Sequence, residues 1–415
     1  YEIYYVYLQN YNVYRIKMNI YKREYYLQKV RPFIDKQLIK VFTGQRRVGK
    51  SFLMMQIRDE ILERKPDANI IYINLEKLEF SKIKNYTQLA EYIASQTKKA
   101  NNYLFIDEIQ EIEGFEKVLR SLVSEPDFDI YCTGSNAKML SGEFATFLSG
   151  RQIEIRVHSL SYPEFLNFHQ FNNDSNTLNL YLQFGGMPYL INLLNDNEIK
   201  SEYLNNILNT ILFRDIVSRY DIRDISFLEN MIRYIADNVG SLLSATNISK
   251  FLKSQNINKS TQSIINYIEY IENSFIINRV RRINLQGKKI FESGEKFYYE
   301  DLGIRNQIVG FNISEIQKII ENAVYNHLLF KGYKVFVGKV QNTEIDFVAE
   351  KNGETVYLQA AYLLKDESTI NREFGNLMKI KDNFPKYVIS YDSLTASNTY
   401  KGIIHITLSD FLLNF

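Results

Sequence analysis

The octapeptide Gly44-Gln-Arg-Arg-Val-Gly-Lys-Ser51 follows an apolar, β-prone run and leads into Phe52-Leu-Met-Met. A loop of this composition belongs between the end of a buried strand and the first turn of a helix. Gly44 and Gly49 permit backbone geometry closed to residues with a Cβ, so successive amide N–H groups turn inward around a polyphosphate at a helix mouth. Lys50 is placed to neutralise the β- and γ-phosphates, and Ser51 to hold Mg²⁺ through its hydroxyl. Gln45, Arg46, Arg47 and Val48 complete the loop, Phe52 follows it, and the whole segment is the expected nucleotide site.

A second run, Tyr103-Leu-Phe-Ile-Asp107-Glu108, reads as a buried parallel strand delivering two acids to its C-terminal edge, where open α/β sheets bind their ligands. Asp107 is placed to orient Mg²⁺, and Glu108 to polarise the water that attacks the γ-phosphate. Residues 69–75 and 129–136 are further short strands of the same sheet. The second sets Ser135 or Asn136 beside the γ-phosphate, and Asn136 is the expected sensor. These elements together point to ATP hydrolysis.

GQRRVGKS, YLFIDEIQ and TGSNA, then LSGR, LSYPEFL, GGMPYL and LFRDIVSRY, resemble a family of prokaryotic ATPases of the AAA+ superfamily, over nearly the whole chain from Met18. The resemblance implies a P-loop parallel-sheet ATPase followed, near 185–415, by a domain of unknown function.

Arg151 lies just beyond the sensor strand, where an arginine offsets transition-state charge in its own subunit or in a neighbour, or else serves as a surface ion-pair residue. Arg214, with Asp215 inside a helical stretch at 203–220, is a candidate second phosphate sensor, with a helix-surface ion pair as the alternative. Gly185-Gly186-Met187-Pro188 reads as a tight turn between helices.

From about residue 225 the pattern becomes three compact helices, at 227–239, 244–253 and 260–273, then strands at 276–285 and 288–291 around Gln286-Gly287. That is the winged-helix plan. Its third helix would present Lys259, Thr261 and Gln262 to DNA, and its wing Arg279, Arg281, Arg282, Lys288 and Lys289. Toward the C-terminus, a helix with Glu321, a strand with Asp346 and a strand with Gln359 and Ala361 resemble the PD-(D/E)XK nuclease core. In that core the latter two positions are a Glu and a Lys. Neutral Gln359 and inert Ala361 argue against cleavage, unless Lys339, Lys351 or Lys365 substitutes.

The single cysteine, Cys132, excludes an internal disulfide and is a small core filler, and the four dispersed histidines show no ligand spacing. With 50 Lys and Arg against 48 Asp and Glu, any nucleic-acid role rests on local patches. No apolar run reaches the roughly 18 residues of a membrane span and no secretory signal is evident. The reading is therefore of a cytoplasmic α/β protein without a membrane partner. Its expected parts are an extension (1–17), an ATPase domain (18–170), a helical lid (171–224), a winged-helix module (225–310) and an inactive nuclease-like α/β domain (311–415). ATP and Mg²⁺ are the expected ligands and DNA the expected partner, with a protein partner or a homo-oligomer also open. A nucleotide-gated switch with little turnover and an ATP-regulated nuclease are the alternatives.

Overall fold

The computed structural model describes residues 21–137, 150–193, 196–286, 294–364, 367–392 and 399–415. The readings made for residues 1–17, for Leu148 and Ser149, and for Lys288, Lys289 and Lys365 lie outside them. Two compact units emerge: residues through Gly44 with Gly49–Val157, and Gln45–Val48 with His158–Phe415.

The first unit carries α1 (Glu24–Val30), β1 (Ile39–Thr43), α2 (Lys50–Arg64), β2 (Asn69–Asn74), α3 (Tyr86–Gln96), β3 (Asn102–Asp107), α4 (Phe115–Leu122), β4 (Phe128–Gly134) and β5 (Gln152–Arg156). Its sheet runs β2-β3-β4-β1-β5 with every pairing parallel. Parallel strands covered on both faces need apolar side chains on both, which is why β1 and β3 are buried at every position. Ile39, Val41, Leu104, Ile106 and Ile130 lie in one hydrophobic cluster with Cys132. Lys40 is the exception inside β1, and its ammonium is bonded to Asp129 of β4. Because all five strands point the same way, the residues ending β1, β2, β3 and β4 gather on one edge.

In the second unit, α5 (Tyr162–His169) begins with a capping box in which Ser161 and Glu164 satisfy each other's backbone N–H groups, with Pro163 in the first turn. This gives the LSYPEFL motif a local physical reason. There follow α6 (Ser175–Phe184), α7 (Asn197–Thr210), a π-helical segment (Ile211–Val217), α8 (Ile225–Asp237), α9 (Ala245–Ser254), α10 (Thr261–Asn273), β6 (Ile277–Asn284) and β7 (Glu295–Tyr299). Then come α11 (Leu302–Val309), α12 (Ile316–Phe330), β8 (Lys334–Val340), β9 (Thr343–Lys351), β10 (Glu354–Ala361), α13 (Glu367–Met378), β11 (Lys386–Ser390), β12 (Thr399–Tyr400), β13 (Ile403–Thr407) and α14 (Leu408–Asn414).

The three helices of 225–273 form close to where the periodicity puts them. The hairpin after them differs from the expectation. β6 pairs antiparallel with β7, Ile277 opposite Tyr299 and Arg281 opposite Glu295, and the strand expected at 288–291 lies outside the described residues. The turn-forming Gln286-Gly287 draws the sequence reading to a tighter hairpin than the ladder supports. β6 also pairs in parallel with β8, Arg282 opposite Val337. One eight-stranded sheet, β12-β13-β11-β10-β9-β8-β6-β7, therefore joins residues that the sequence assigns to two modules meeting at 310/311.

Candidate functional site

The loop after β1 is held in a shape that few residues tolerate. Gly44 has φ of 136°, Arg47 of 71° and Gly49 of 96°, which turns the chain back on itself ahead of α2. A Cβ on Gly44 would lie 2.1 Å from the carbonyl oxygen of Val157, and the Val157 N–H donates to Thr43 O at 2.8 Å, fixing the strand end. Lys50 is 4% exposed, and its Nζ donates to Gly44 O at 2.9 Å, closing the loop over its own first carbonyl. This cradle fits a polyphosphate because its backbone is already bent and its lysine already turned inward. Gly44→Ala is expected to weaken ATP binding by at least about tenfold, since the methyl group meets backbone and the φ is unfavourable for an L side chain. Titration with a fluorescent ATP analogue checks it, and unchanged affinity would contradict the cradle.

Beside the loop, the β3 end brings its two acids to the same edge. Asp107 Oδ1 accepts from Thr133 Oγ1 of β4 at 2.5 Å, and the Ser51 hydroxyl is hydrogen-bonded to the same carboxylate. Burial raises the Asp107 carboxyl above its ordinary value, and the bonds from Thr133 and Ser51 oppose that rise. A serine hydroxyl and a carboxylate form the hard-oxygen pair that suits Mg²⁺. Glu108 follows with φ of 57°, so the strand breaks sharply at the second acid. Its N–H donates to Thr133 Oγ1 at 2.9 Å. Its Oε2 accepts from Ser135 Oγ at 3.1 Å and from Gln110 Nε2. Asn136, 6% exposed, follows Ser135 directly. The structure thus brings Gly44, Lys50, Ser51, Asp107, Glu108 and the 135–136 turn to one edge. Thr133 and Gln110, which tie the acids in place, were missed. Thr133 sits one strand away from the acids it orients, a pairing that only strand order reveals.

Arg151 does not join that edge. It precedes Gln152, which pairs with Ile39 at the start of β1, whereas Arg156 pairs with Thr43 at the loop end. The five residue steps from Arg151 to Arg156 span about 16 Å at ~3.3 Å per residue, so Arg151 is on the opposite side of its own sheet. Its guanidinium instead donates to Ser124 Oγ at 2.9 Å. Position along the chain is no guide here, because a parallel strand carries its first residue to the edge opposite its last. The register places Arg156 at the edge predicted for Arg151.

In the second unit, Arg214 is exposed on the π-helical segment. Its neighbour Asp215 is 1% exposed and accepts a two-pronged bond from Arg46, whose residues 45–48 cluster with this unit. The Asp215 carboxylate is therefore committed to a buried pair with Arg46. Of the expected DNA contacts, Lys259 pairs with Asp224 at 2.5 Å. Arg279 pairs with Glu272 at 2.9 Å and Glu295 at 3.5 Å, and Arg282 lies 3.9 Å from Glu344. Arg281 and Gln262 are exposed, and Thr261 is half-buried.

The nuclease-like residues do converge, around a lysine that the sequence did not single out. Lys296 of β7, 2% exposed in its side chain, has Nζ 2.9 Å from Glu321 of α12, 2.8 Å from Glu344 and 3.7 Å from Asp346 of β9. Tyr298 donates to Glu321 at 2.6 Å, and the Asp346 N–H donates to Gln359 Oε1 at 3.3 Å. A Cβ on Gly240 would meet the Glu321 carboxylate at 2.8 Å, so backbone lies against that face. Ala361 is buried at the end of β10. Burial pulls the Lys296 ammonium down, and Glu321, Asp346 and Glu344 more than reverse this, leaving it raised. Among the described residues, no group of three or more His, Cys, Asp or Glu is arranged to hold a metal ion.

Residues 36–166 match the family described as an AAA domain, and residues 175–315 one described as a domain of unknown function, DUF8612. The AAA resemblance read from the motifs is therefore borne out. An uncharacterized protein of Haemophilus influenzae is 35% identical over 398 residues, covering 94% of this chain and 98% of its own length. The uncharacterized protein MJ1544 of Methanocaldococcus jannaschii is 32% identical over 395 residues, covering 90% and 85%. Among solved structures, the Aeropyrum pernix ORC1 protein in complex with DNA overlays with a TM-score of 0.35 at 11% identity, covering 69% of this chain and 91% of that one. Cdc6p from Pyrobaculum aerophilum gives 0.32 at 11% identity, covering 72% and 96%.

Proposed function

The chain belongs to the family of the Haemophilus influenzae protein, and from that premise we propose that it is an Mg²⁺-dependent ATPase whose second unit contacts duplex DNA and cleaves nothing. The observation that carries the enzymatic part is the edge where the Lys50 loop meets Asp107 and Glu108. Lys50 exchanges its bond to Gly44 O for the β- and γ-phosphates of ATP. Ser51 and Asp107 would hold Mg²⁺, which would supply charge neutralisation to the phosphates. Ser135 and Gln110 orient the Glu108 carboxylate, which takes the proton of the attacking water. Asn136 follows on the same edge as the γ-phosphate sensor.

Support for the DNA part comes from the order α8, α9, α10, β6, β7, with Leu243 bridging antiparallel to Glu295 as a third strand would. That order and bridge support reading 225–299 as a winged-helix module. Residues 241–268 contain no Asp or Glu, and Asn247, Lys250, Lys253 and Gln262 are exposed on α9 and α10. Because Arg279 and Arg282 are engaged in ion pairs, the phosphate-facing surface is assigned to α9 and α10 together with Arg281. The absence of cleavage is supported by Lys296, whose ammonium sits between the carboxylates of Glu321, Glu344 and Asp346.

ATP turnover measured with and without duplex DNA across a salt series tests the proposal. We expect turnover in the wild-type chain, its loss in Lys50→Ala, and a DNA stimulation that fades steeply as salt rises. Turnover indifferent to DNA at low salt removes the DNA part. Absence of turnover removes the ATPase part and favours a nucleotide-gated switch.

A further inference from the structure

Arg46 and Asp215 form a buried, two-pronged ion pair. Arg46 Nε donates to Asp215 Oδ2 at 2.9 Å and Nη2 to Oδ1 at 2.9 Å, with the side chains 6% and 1% exposed. Arg219 adds Nη2 at 3.9 Å from Oδ1 and a bond from Nη1 to the Asp215 carbonyl at 3.5 Å. Apolar residues of similar volume would hold two elements together as well or better, because desolvating both charges offsets most of their attraction. What a two-pronged guanidinium–carboxylate pair adds is geometry: it fixes the plane and direction of the arginine.

The location of Arg46 gives that geometry a use. It stands between Gly44 and Gly49, beside Arg47, in a loop with three residues at positive φ. A conformation of that kind persists only where the surroundings over-determine it. At the other end, Asp215 lies in the π-helical segment Ile211–Val217. Ile211, Leu212, Asp215 and Ile216 are buried there while Phe213 and Arg214 are exposed. Single π-helical turns of this sort recur at functional positions.

We propose that Asp215 is a positioning residue for nucleotide binding: by holding Arg46 from both nitrogens it keeps residues 44–49 in the shape that receives the phosphates. The proposal rests on the ATP reading above. A pre-shaped loop stabilises bound ATP and its transition state alike, so its loss raises KM and leaves kcat at saturation nearly unchanged. A pair that only staples the fold behaves in the opposite way, lowering the active fraction and so the apparent kcat at constant KM.

Steady-state ATP kinetics on the full chain separate the two. Asp215→Asn retains Arg46, so a higher KM there is not the loss of an arginine–phosphate contact. Arg46→Gln with Asp215→Asn removes both members of the pair and serves where the single variant fails to fold, but only through an unchanged KM, since Arg46 belongs to the nucleotide loop. We expect KM to rise at least about tenfold with kcat within about threefold, and amide hydrogen exchange across residues 44–53 to quicken in the nucleotide-free chain. An unchanged KM in either folded variant, or a loss confined to kcat, overturns the role of Asp215. A wild-type chain that neither binds nor hydrolyses ATP overturns the ATP reading itself, and this assignment falls with it.

Discussion

Glu108→Gln is expected to lower ATP turnover by about 10²–10⁴-fold, the range associated with losing a positioned general base, while ATP binds within about twofold of wild type. Glutamine keeps the length and shape of the side chain, so Ser135 and Gln110 still have an oxygen to bond. It has no carboxylate to receive the proton from water. Binding is spared because Lys50, Ser51 and the loop amides are untouched, and those groups hold the triphosphate. Single-turnover hydrolysis and a fluorescent-nucleotide titration on the same sample check both halves. Turnover within threefold of wild type would remove Glu108 from the role of base. A parallel collapse of binding would mean that the Ser135–Glu108–Gln110 bonds shape the loop as well. Lys50→Ala should behave differently, losing affinity along with rate, because its ammonium contacts the ground-state phosphates.

What was legible in the chain follows from how local each signal is. Gly44 to Ser51 needs only a strand before it and a helix after it, and both lie within a few residues. Asp107 and Glu108 are legible for the same reason, as the end of an apolar run. Arg151 lies near Asn136 in sequence but not at the same sheet edge, because the β1–β5 register brings Arg156 there instead. Thr133 was invisible because a threonine in a strand looks like any β-former until the β3–β4 pairing sets it against Asp107 and Glu108. The pair of Arg46 and Asp215 bridges 169 positions, and no periodicity in either segment encodes it. Lys296 carried a weak signal, a charge next to Glu295 at the head of the aromatic run Phe297-Tyr298-Tyr299. The turn-like Gln286-Gly287 placed the hairpin upstream of it.

Removal of that lysine is the second large effect. Lys296→Met should destabilise the second unit by about 3–5 kcal/mol near neutral pH, the usual consequence of breaking a buried ion pair by deleting one partner. Methionine fills a similar volume, so the loss reports charge more than cavity. Glu321, Glu344 and Asp346 would then face one another with the ammonium gone. The pH dependence carries the sign. Burial first, and Glu321 second, raise the Asp346 carboxyl well above its ordinary value, with Lys296 opposing. Deleting Lys296 therefore raises it further. An acid whose folded-state value exceeds its unfolded one binds its proton more tightly when folded. Its contribution is present at low pH and is lost as pH rises through the folded value. The variant's deficit should therefore shrink as pH is lowered from about 8 toward the ordinary carboxylate range. Urea unfolding of the full chain at several pH values, with hydrogen exchange at α12 and β9 amides to localise the loss, provides the measurement. A deficit below about 1 kcal/mol, the scale of an exposed pair, or one that does not vary with pH, would mean that Lys296 is not the counter-ion of this cluster. In that event the carboxylates would be free to meet a divalent cation, and cleavage by the second unit would again be chemically open.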